Sequence, residues 1–478
     1  MAIAAVVAGA VAALPAAAST TQISVIEDDH LFLNSGAQER ERALNEARSL
    51  GATAVHVLVR WSRLAPAPRS RTRPALDLND PASYGDWSAL DGLVAGARAR
   101  GLRLLLTPTG PGPLWASQCT RTPQRGPCLP RVSDYGHFVH ALGVRYSGDY
   151  GAAGQTLPAV DAWSIWNEPN HRRWLAPQTV RRGGYTIYTA AARYRQLALA
   201  GLAALTQTGP AGDLRLVGET APSGGAHATP PVDFYRALFC LDAGSRPLRG
   251  AAARRQECAQ APRFPATGIA HHPYTGGAIA RPSSTGRSGD VPIAALGRLS
   301  ALLDHAAHYG IIRRRAPIYV TEFGYQTHPP DAFGVTLAQQ AEYLNYADYI
   351  AYRNPRIASV AQYELRDDRA RSGFNTGLRF SDGRPKPALA AYALPIYVTR
   401  ADAGHVSVFG LARSSATFPA RVDIQARSSS RRRFRTVAHA TTNRAGYFLV
   451  RVPAAGRYWR LALTDGATTR LSRIASAR

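Results

Sequence analysis

Lysine is almost missing from this chain: of its 57 basic residues all but Lys386 are arginine, and they outnumber 32 acidic residues for a formal net charge of +25. Arginine spread along a lysine-poor sequence reads as compositional bias. A nucleic-acid face would concentrate its charge in one patch, so no nucleic-acid partner is expected. The charge still predicts a salt-dependent attraction to anionic polymers, such as those of a cell envelope, through the basic surface. No G-x-G-x-x-G or Walker-type phosphate loop follows the first apolar strand, which counts against an open nucleotide-binding sheet. No C-x-x-C and no histidine pair at zinc spacing occurs, so no metal and no cofactor is expected. After the first apolar stretch nothing approaches the roughly 20 apolar residues of a membrane helix.

Cysteine is scarce, and its four copies fall into two close pairs, Cys119 with Cys128 and Cys240 with Cys258. Each pair lies in an irregular stretch rich in Pro, Gly or Arg. Two local loop-stapling disulfides in an oxidising compartment are the reading, with free thiols as the alternative. The opening MAIAAVVAGAVAALPAAAST is apolar, small-residue-rich and closes on an Ala-x-Ala pattern at Ala16–Ala18. It predicts a signal peptide over residues 1–18, and with the cysteines a secreted, extracellular protein.

What is present is a repeating unit: an amphipathic helix, a glycine, then a short apolar strand. It runs through residues 39–50, Gly51 and 54–59, through 88–100, Gly101 and 102–106, and through 293–309, Gly310 and 317–320. Glycine suits the left-handed position that ends a helix. Unbroken apolar strands suit a parallel sheet buried on both faces. Further strands are expected at 22–26, 159–166, 214–218, 267–271 and 357–363. Eight strands alternating with helices predict an α/β fold, a (β/α)8 TIM barrel over residues 20–395, with a doubly wound open sheet as the rival. From 397 to 478 short alternating segments (406–409, 421–425, 434–437, 447–450 and 458–463) predict a small all-β sandwich. This tail carries about half the net charge, and its Arg431–Arg433 run reads as a solvated hairpin tip. Tyr447, Tyr458 and Trp459 could form a sugar platform there, but strand alternation makes core the better reading.

Two carboxylates end apolar strands on what would be the same barrel face. Glu168 lies in Trp-Ser-Ile-Trp-Asn-Glu-Pro-Asn (163–170) and Glu322 in Ile-Tyr-Val-Thr-Glu-Phe-Gly (318–324). Cleaving a glycosidic bond needs a proton for the leaving oxygen and a group that meets an oxocarbenium-like carbon, which a pair of carboxyls supplies. Aromatic surroundings are expected to raise the pKa of Glu168, as suits an acid. Asn167 is placed to bond a sugar 2-hydroxyl. Glu322 must stay ionised, with Arg60 at the end of the second strand and Tyr274 after the sixth as the expected cation and donor.

With these strings, N-E-P after strand four, H-x-Y after strand six and E-F-G after strand seven, the chain resembles clan A glycoside hydrolases of the cellulase-like family 5 and xylosidase-like family 39 type. The resemblance covers about residues 20–395. It implies Glu168 as acid/base, Glu322 as nucleophile, retention of configuration, and Arg60, Asn167, His272 and Tyr274 as supporting residues. Two positions depart from the family 5 pattern: strand three runs into Thr107-Pro-Thr-Gly110 without a histidine, and strand eight closes on Gln362-Tyr-Glu-Leu-Arg366 without a tryptophan. Trp61, Trp115, Trp166 and Trp174 lie near strand ends and are candidates to stack on a sugar ring. Glu27, Asp28, Asp29 and His30 suggest a metal site or a subsite, with a sugar-contacting or structural role preferred. Glu219, and Glu364 with Asp367 and Asp368, are rival nucleophiles that read better as hydrogen-bonded or arginine-paired carboxylates. The expectation is a secreted retaining glycosidase acting on a poly- or oligosaccharide. The alternative is a non-catalytic glycan-binding barrel of the cell envelope.

Overall fold

The computed structural model describes residues 18–119, 126–152, 155–210, 212–258, 262–275, 277, 279–369 and 373–477. The signal peptide expected over residues 1–18 therefore lies outside the described residues except for Ala18.

Eight parallel strands close into a barrel: β1 (Ile23–Glu27), β2 (Ala54–Arg60), β3 (Arg103–Thr109), β4 (Ala162–Ile165), β5 (Leu214–Thr220), β6 (Gly268–His271), β7 (Ile318–Val320) and β8 (Ile357–Tyr363). Each pairs with its neighbours in chain order, and β8 returns to β1 through partners such as Val25 and Ala361. Closure leaves no sheet edge and excludes the open-sheet rival. All eight expected strands are found, although β4 is only the centre of the stretch 159–166. β2 shows why the apolar runs are unbroken: residues 54–59 are buried throughout, one face toward the barrel interior and the other toward the helix layer. The helices Ala37–Ser49, Ser88–Ala99 and Leu296–His308 each end at a glycine. Gly51, Gly101 and Gly310 take φ of 85°, 63° and 71°, where a side chain would crowd its own backbone.

The chain divides into two compact units. One comprises Ile23–Thr336 and Arg356–Arg384 and holds the barrel strands. The other comprises the described residues up to Gln22, Leu337–Pro355 and the chain from Pro385 on. It contains the helix Leu337–Tyr352 together with eight antiparallel strands: β9 (Ile396–Arg400), β10 (His405–Leu411), β11 (Arg421–Arg427), β12 (Arg435–Thr441), β13 (Tyr447–Pro453), β14 (Tyr458–Asp465), β15 (Thr468–Leu471) and β16 (Ala475–Ser476). They form two sheets, β9-β10-β13 and β12-β11-β14-β15, with β16 added to β14. Alternate residues of both sheets, among them Val398, Val408, Val450, Ile424, Leu461 and Trp459, share one buried core, which is the all-β sandwich fold expected of the tail. β9, β15 and β16 are strands the periodicity did not announce. β9 follows directly on the helix Pro387–Ala393, and β15 is a four-residue polar strand with little burial to mark it.

The sugar-platform reading of the tail does not hold. Tyr447 and Trp459 are buried in the sandwich unit, and Tyr458 is half-buried beneath Arg427 and Arg457. Arg431–Arg433 is exposed between β11 and β12, as expected of a hairpin tip. Lys386 is buried, 2 % exposed, immediately before the helix Pro387–Ala393. The cysteines pair as Cys119–Cys128 and Cys240–Cys258, and no free cysteine is present. Truncating Trp459, which has no exposed surface, should destabilise the sandwich by about 3–5 kcal/mol. A lowered urea midpoint for Trp459→Ala in the full chain is the measurement.

Candidate active site

The C-terminal ends of the barrel strands bring polar side chains together, most of them buried. Glu27 ends β1, Arg60 ends β2, and Thr109 ends β3. Glu168 follows β4, Glu219 lies in the last turn of β5, His272 and Tyr274 follow β6, and Glu322 follows β7. In a (β/α)8 barrel this is the face on which loops build a site.

Backbone irregularity aims several of these groups inward. Across β5 and β6 the register pairs Ala270 with Gly218 but His271 with Thr220, so Glu219 is the extra residue of a bulge. Glu219 takes φ of 45° and Gly218 takes 121°, and a side chain at Gly218 would run into the Tyr235 hydroxyl and the Ala270 carbonyl. After β4 the chain turns sharply: Trp166 and Glu168 take φ of 64° and 37°. That turn is held by Asn167 N–H donating to Thr109 Oγ1 at 2.9 Å and Glu168 N–H donating to the Glu219 carbonyl at 2.9 Å. Such backbone is costly unless its surroundings over-determine it, as these cross-strand bonds do.

The centre of the site is His272, which is fully buried. Its Nε2 lies 2.5 Å from Glu219 Oε2, and its Nδ1 lies 3.3 Å from Glu168 Oε1 and 3.4 Å from Glu322 Oε1. Thr321 Oγ1 also donates to Glu219 Oε2, at 2.6 Å, and Tyr274 O–H donates to Glu322 Oε2 at 3.0 Å. Burial alone would lower the pKa of His272, but the carboxylates of Glu322, Glu168 and Glu219 outweigh it and raise the pKa well above the usual imidazole range. Glu219, bonded to that imidazolium, is held down at about 2 although burial pushes it up. Glu322 is pushed well above the ordinary carboxylate range, first by burial and then by Glu27, while His272 pulls it back.

A second buried dyad sits beside the first. His56 Nδ1 meets Glu27 Oε2 at 2.9 Å and its Nε2 meets Thr107 Oγ1 at 2.8 Å. Here burial wins on both sides: it raises Glu27 well above the usual range and lowers His56, so this pair is neutral. The difference lies in the partners. His272 faces three carboxylates, whereas His56 faces one, together with a hydroxyl and the Thr321 carbonyl at 3.4 Å.

The residues singled out from sequence are sorted by this geometry. Glu168, Glu322, Asn167, Tyr274 and Arg60 all line one cleft of about 620 Å³, with His272 beneath it. Arg60 does not serve as the cation for Glu322: its ion pair, at 4.0 Å, is with Asp29, and its guanidinium lies over Trp174. The charge beside Glu322 is His272. Trp61, Trp115 and Trp166 are not sugar platforms, with exposures of 0 %, 2 % and 0 %. They form an aromatic packing layer in which Trp61 stacks on Phe138 and meets Trp115 edge-on, and Trp166 meets Tyr135 edge-on. The aromatic rings that do line the cleft include Trp174, Tyr363 and Phe374, beside Tyr274 and Tyr325. Tyr363 closes β8 where the family 5 pattern has tryptophan, and Phe374 meets its ring edge-on.

Among the other acidic residues, Asp28 caps the helix Asp29–Leu33 through Leu31 N–H and accepts from Leu365 and Arg366 N–H, which makes it structural. Asp29 accepts from Leu58 N–H at 2.8 Å and reaches the cleft wall, and His30 is exposed, so the four residues of 27–30 do not converge on one metal. Glu364 accepts from Thr376 Oγ1 at 3.1 Å and is pushed up to about 10 by burial, so it is protonated rather than a rival nucleophile. Glu168, His272 and Glu322 present one atom each within 4.8 Å of one another, the spacing of a cation site. The raised pKa of His272 favours a proton shared among these three groups.

No family model and no curated protein matches the chain. Its structure is similar to that of a family 39 glycoside hydrolase from the gut symbiont Bacteroides cellulosilyticus. The TM-score is 0.53 at 15 % identity, over 90 % of this chain and 81 % of that one. It is also similar to GH5_18 from Streptomyces cattleya (TM-score 0.49, 19 % identity, 79 % of each chain). A third similar structure is a family 51 α-L-arabinofuranosidase from Bifidobacterium longum (TM-score 0.47, 10 % identity, 91 % and 97 %). The first of these shares the barrel architecture, and the family resemblance drawn from the motifs is met at the level of fold.

A pH profile follows from Glu322. If Glu322 has the nucleophile's role expected from the sequence, it acts only when deprotonated, and a raised pKa moves that deprotonation to higher pH. The acid limb of kcat/KM, followed from pH 4 to pH 9 on an aryl glycoside, should therefore lie well above the ordinary carboxylate value of about 4.3.

Proposed function

We propose that this protein is a secreted retaining glycoside hydrolase that cleaves an O-glycosidic bond of a poly- or oligosaccharide by double displacement. One observation carries the reading: Glu168 and Glu322, from the ends of two different strands, bring carboxylate oxygens within 4.8 Å of each other in a single cleft. Retention uses carboxyls about 5–5.5 Å apart, whereas inversion needs room for a water and a separation of about 6.5–9.5 Å. The spacing supports retention. The likeness in fold to a family 39 glycoside hydrolase agrees with it.

In this reading Glu322 attacks the anomeric carbon as the glycosidic C–O bond breaks, and Glu168 gives its proton to the leaving oxygen. A water then attacks the same carbon, Glu168 takes the water's proton, and Glu322 leaves as carboxylate. Tyr274 O–H and His272 N–H reach the two oxygens of Glu322 and favour its ionised form against burial. Asn167 Oδ1 is buried and has no hydrogen-bond partner among the described residues, a vacancy that a sugar hydroxyl would fill. Trp174, Tyr363 and Phe374 offer apolar ring faces to the substrate.

Export is supported by the two disulfides, by the N-terminal sequence, and by the absence, among the described residues, of any helix long and apolar enough to cross a membrane. The same surplus of arginine would hold the protein near anionic envelope polymers at low salt.

Two substitutions test the reading on a panel of aryl glycosides, with product stereochemistry followed by NMR. Glu322→Gln should abolish turnover. Glu168→Gln should lose about 10²–10⁴-fold on poor leaving groups yet spare activated ones, which need no proton. Full activity of both variants on a responsive substrate overturns the assignment, and an inverted product overturns retention.

A further inference from the structure

Glu219 is the one ionised carboxylate of the network with no place in double displacement, yet it makes the shortest bond to His272. Its side chain has no exposed surface, so no substrate reaches it. It also stands on a bulge in which Gly218 has no room for a side chain. The fold thus spends strained backbone on presenting a second anion to the far side of His272.

Resting on the glycosidase reading, we propose that Glu219 is a positioning residue that keeps His272 charged. His272 then acts as a fixed counter-cation shared by Glu168 and Glu322 through both halves of the reaction. The geometry for sharing is on hand: Nδ1 lies 3.3 Å from Glu168 and 3.4 Å from Glu322, nearly equidistant. In the reactive state that double displacement requires, the acid/base Glu168 brings the proton and the nucleophile Glu322 brings the negative charge. When Glu322 becomes a glycosyl ester it loses that charge, and Glu168, having given its proton to the leaving oxygen, gains one. The pair carries a single negative charge at both stages, and only its location changes. One Nδ1–H between the two oxygens serves both states with a small tilt of the bond and no rearrangement of the site.

That service requires a proton on Nδ1 and another on Nε2. With a neutral acceptor at position 219 the buried ring would keep only the single charge of the Glu168–Glu322 pair, and its pKa would fall. The other titratable groups around His272 do not substitute for Glu219. His271, next to it on β6, bonds to Thr220 Oγ1 and the Val291 carbonyl and is lowered to about 4, hence neutral. His56 on β2 and Glu27 on β1 form the neutral dyad, and Tyr274 is raised well above its usual range by burial. Glu168 and Glu322 are the groups being served. Thr321 supplies Glu219 with a hydroxyl donor and no charge.

The test is Glu219→Gln, which keeps shape and an acceptor oxygen but removes the charge, compared with Glu219→Asp, which keeps the charge. Folding is checked by circular dichroism, and kcat and KM on an activated aryl glycoside are followed from pH 5 to pH 9. The charge of His272 is read by ¹⁵N NMR of histidine-labelled protein, with His272→Asn to assign the signal. In the parent protein His272 should be doubly protonated at pH 7.5. In Glu219→Gln it should lose a proton at lower pH. The alkaline limb of kcat should move down by about one pH unit or more, with roughly a tenfold loss of kcat at pH 8, little change in KM, and partial recovery toward pH 5. Glu219→Asp should keep the parent limb. A neutral His272 in the parent overturns the proposal. So does a Glu219→Gln profile that superimposes on the parent or falls uniformly at every pH. If instead Glu322→Gln retains activity, the glycosidase reading itself fails, whatever Glu219 does.

Discussion

A charged imidazolium in the middle of a protein is the constraint on which this site is built. Taking an ion out of water costs several kcal/mol even after relaxation, and only close opposite charge with good geometry offsets that cost. His272 meets the condition by bonding to carboxylates supplied from three other strand ends. Each of those carboxylates is buried or nearly so and would be unfavourable without it. The group therefore stands or falls together. The barrel is the architecture that lets it form, because strands distant in sequence deliver their last residues to one place.

The neighbouring Glu27–His56 pair shows how finely the balance is set. The residue types are the same and both pairs are fully buried, yet one is neutral and the other ionised. Two additional carboxylates tip His272. A hydroxyl and a carbonyl leave His56 uncharged, and with it Glu27 acts as polar packing against the active pair. Buried titratable groups cannot be assigned a charge from their identity, only from the sum of what surrounds them.

Much of this was legible in the sequence. The barrel could be counted because three of its strands, β2, β3 and β7, are apolar runs that follow a glycine-capped helix, and the other five are apolar runs of similar kind. Glu168 and Glu322 stood out because a carboxylate ending such a run has no structural reason to be there. The environment of each group was not legible. Arg60 was expected beside Glu322 because it ends a strand, but β2 is separated from β7 by β1 and β8, and Arg60 pairs with Asp29. Trp61, Trp115 and Trp166 were placed near strand ends correctly, but sequence does not say whether a ring there points up into a cleft or down into packing. Glu219 lacks the E-F-G context and reads as a paired structural carboxylate; its bulge, which depends on a register shift between strands about 50 residues apart, has no signal in the sequence. His56 had a signal that went unread: a histidine inside an otherwise apolar, doubly buried strand, opposite Glu27 in register.

The near absence of lysine has a consequence of its own. Lys386, the only side-chain amine, is buried, so the positive surface consists of guanidinium groups. Sugar aldehydes condense with free amines to form imines, and an always-protonated guanidinium takes no part in that reaction. On the glycosidase reading proposed above, the protein would expose no lysine to the reducing sugars it liberates, and its charge would endure in the presence of its products.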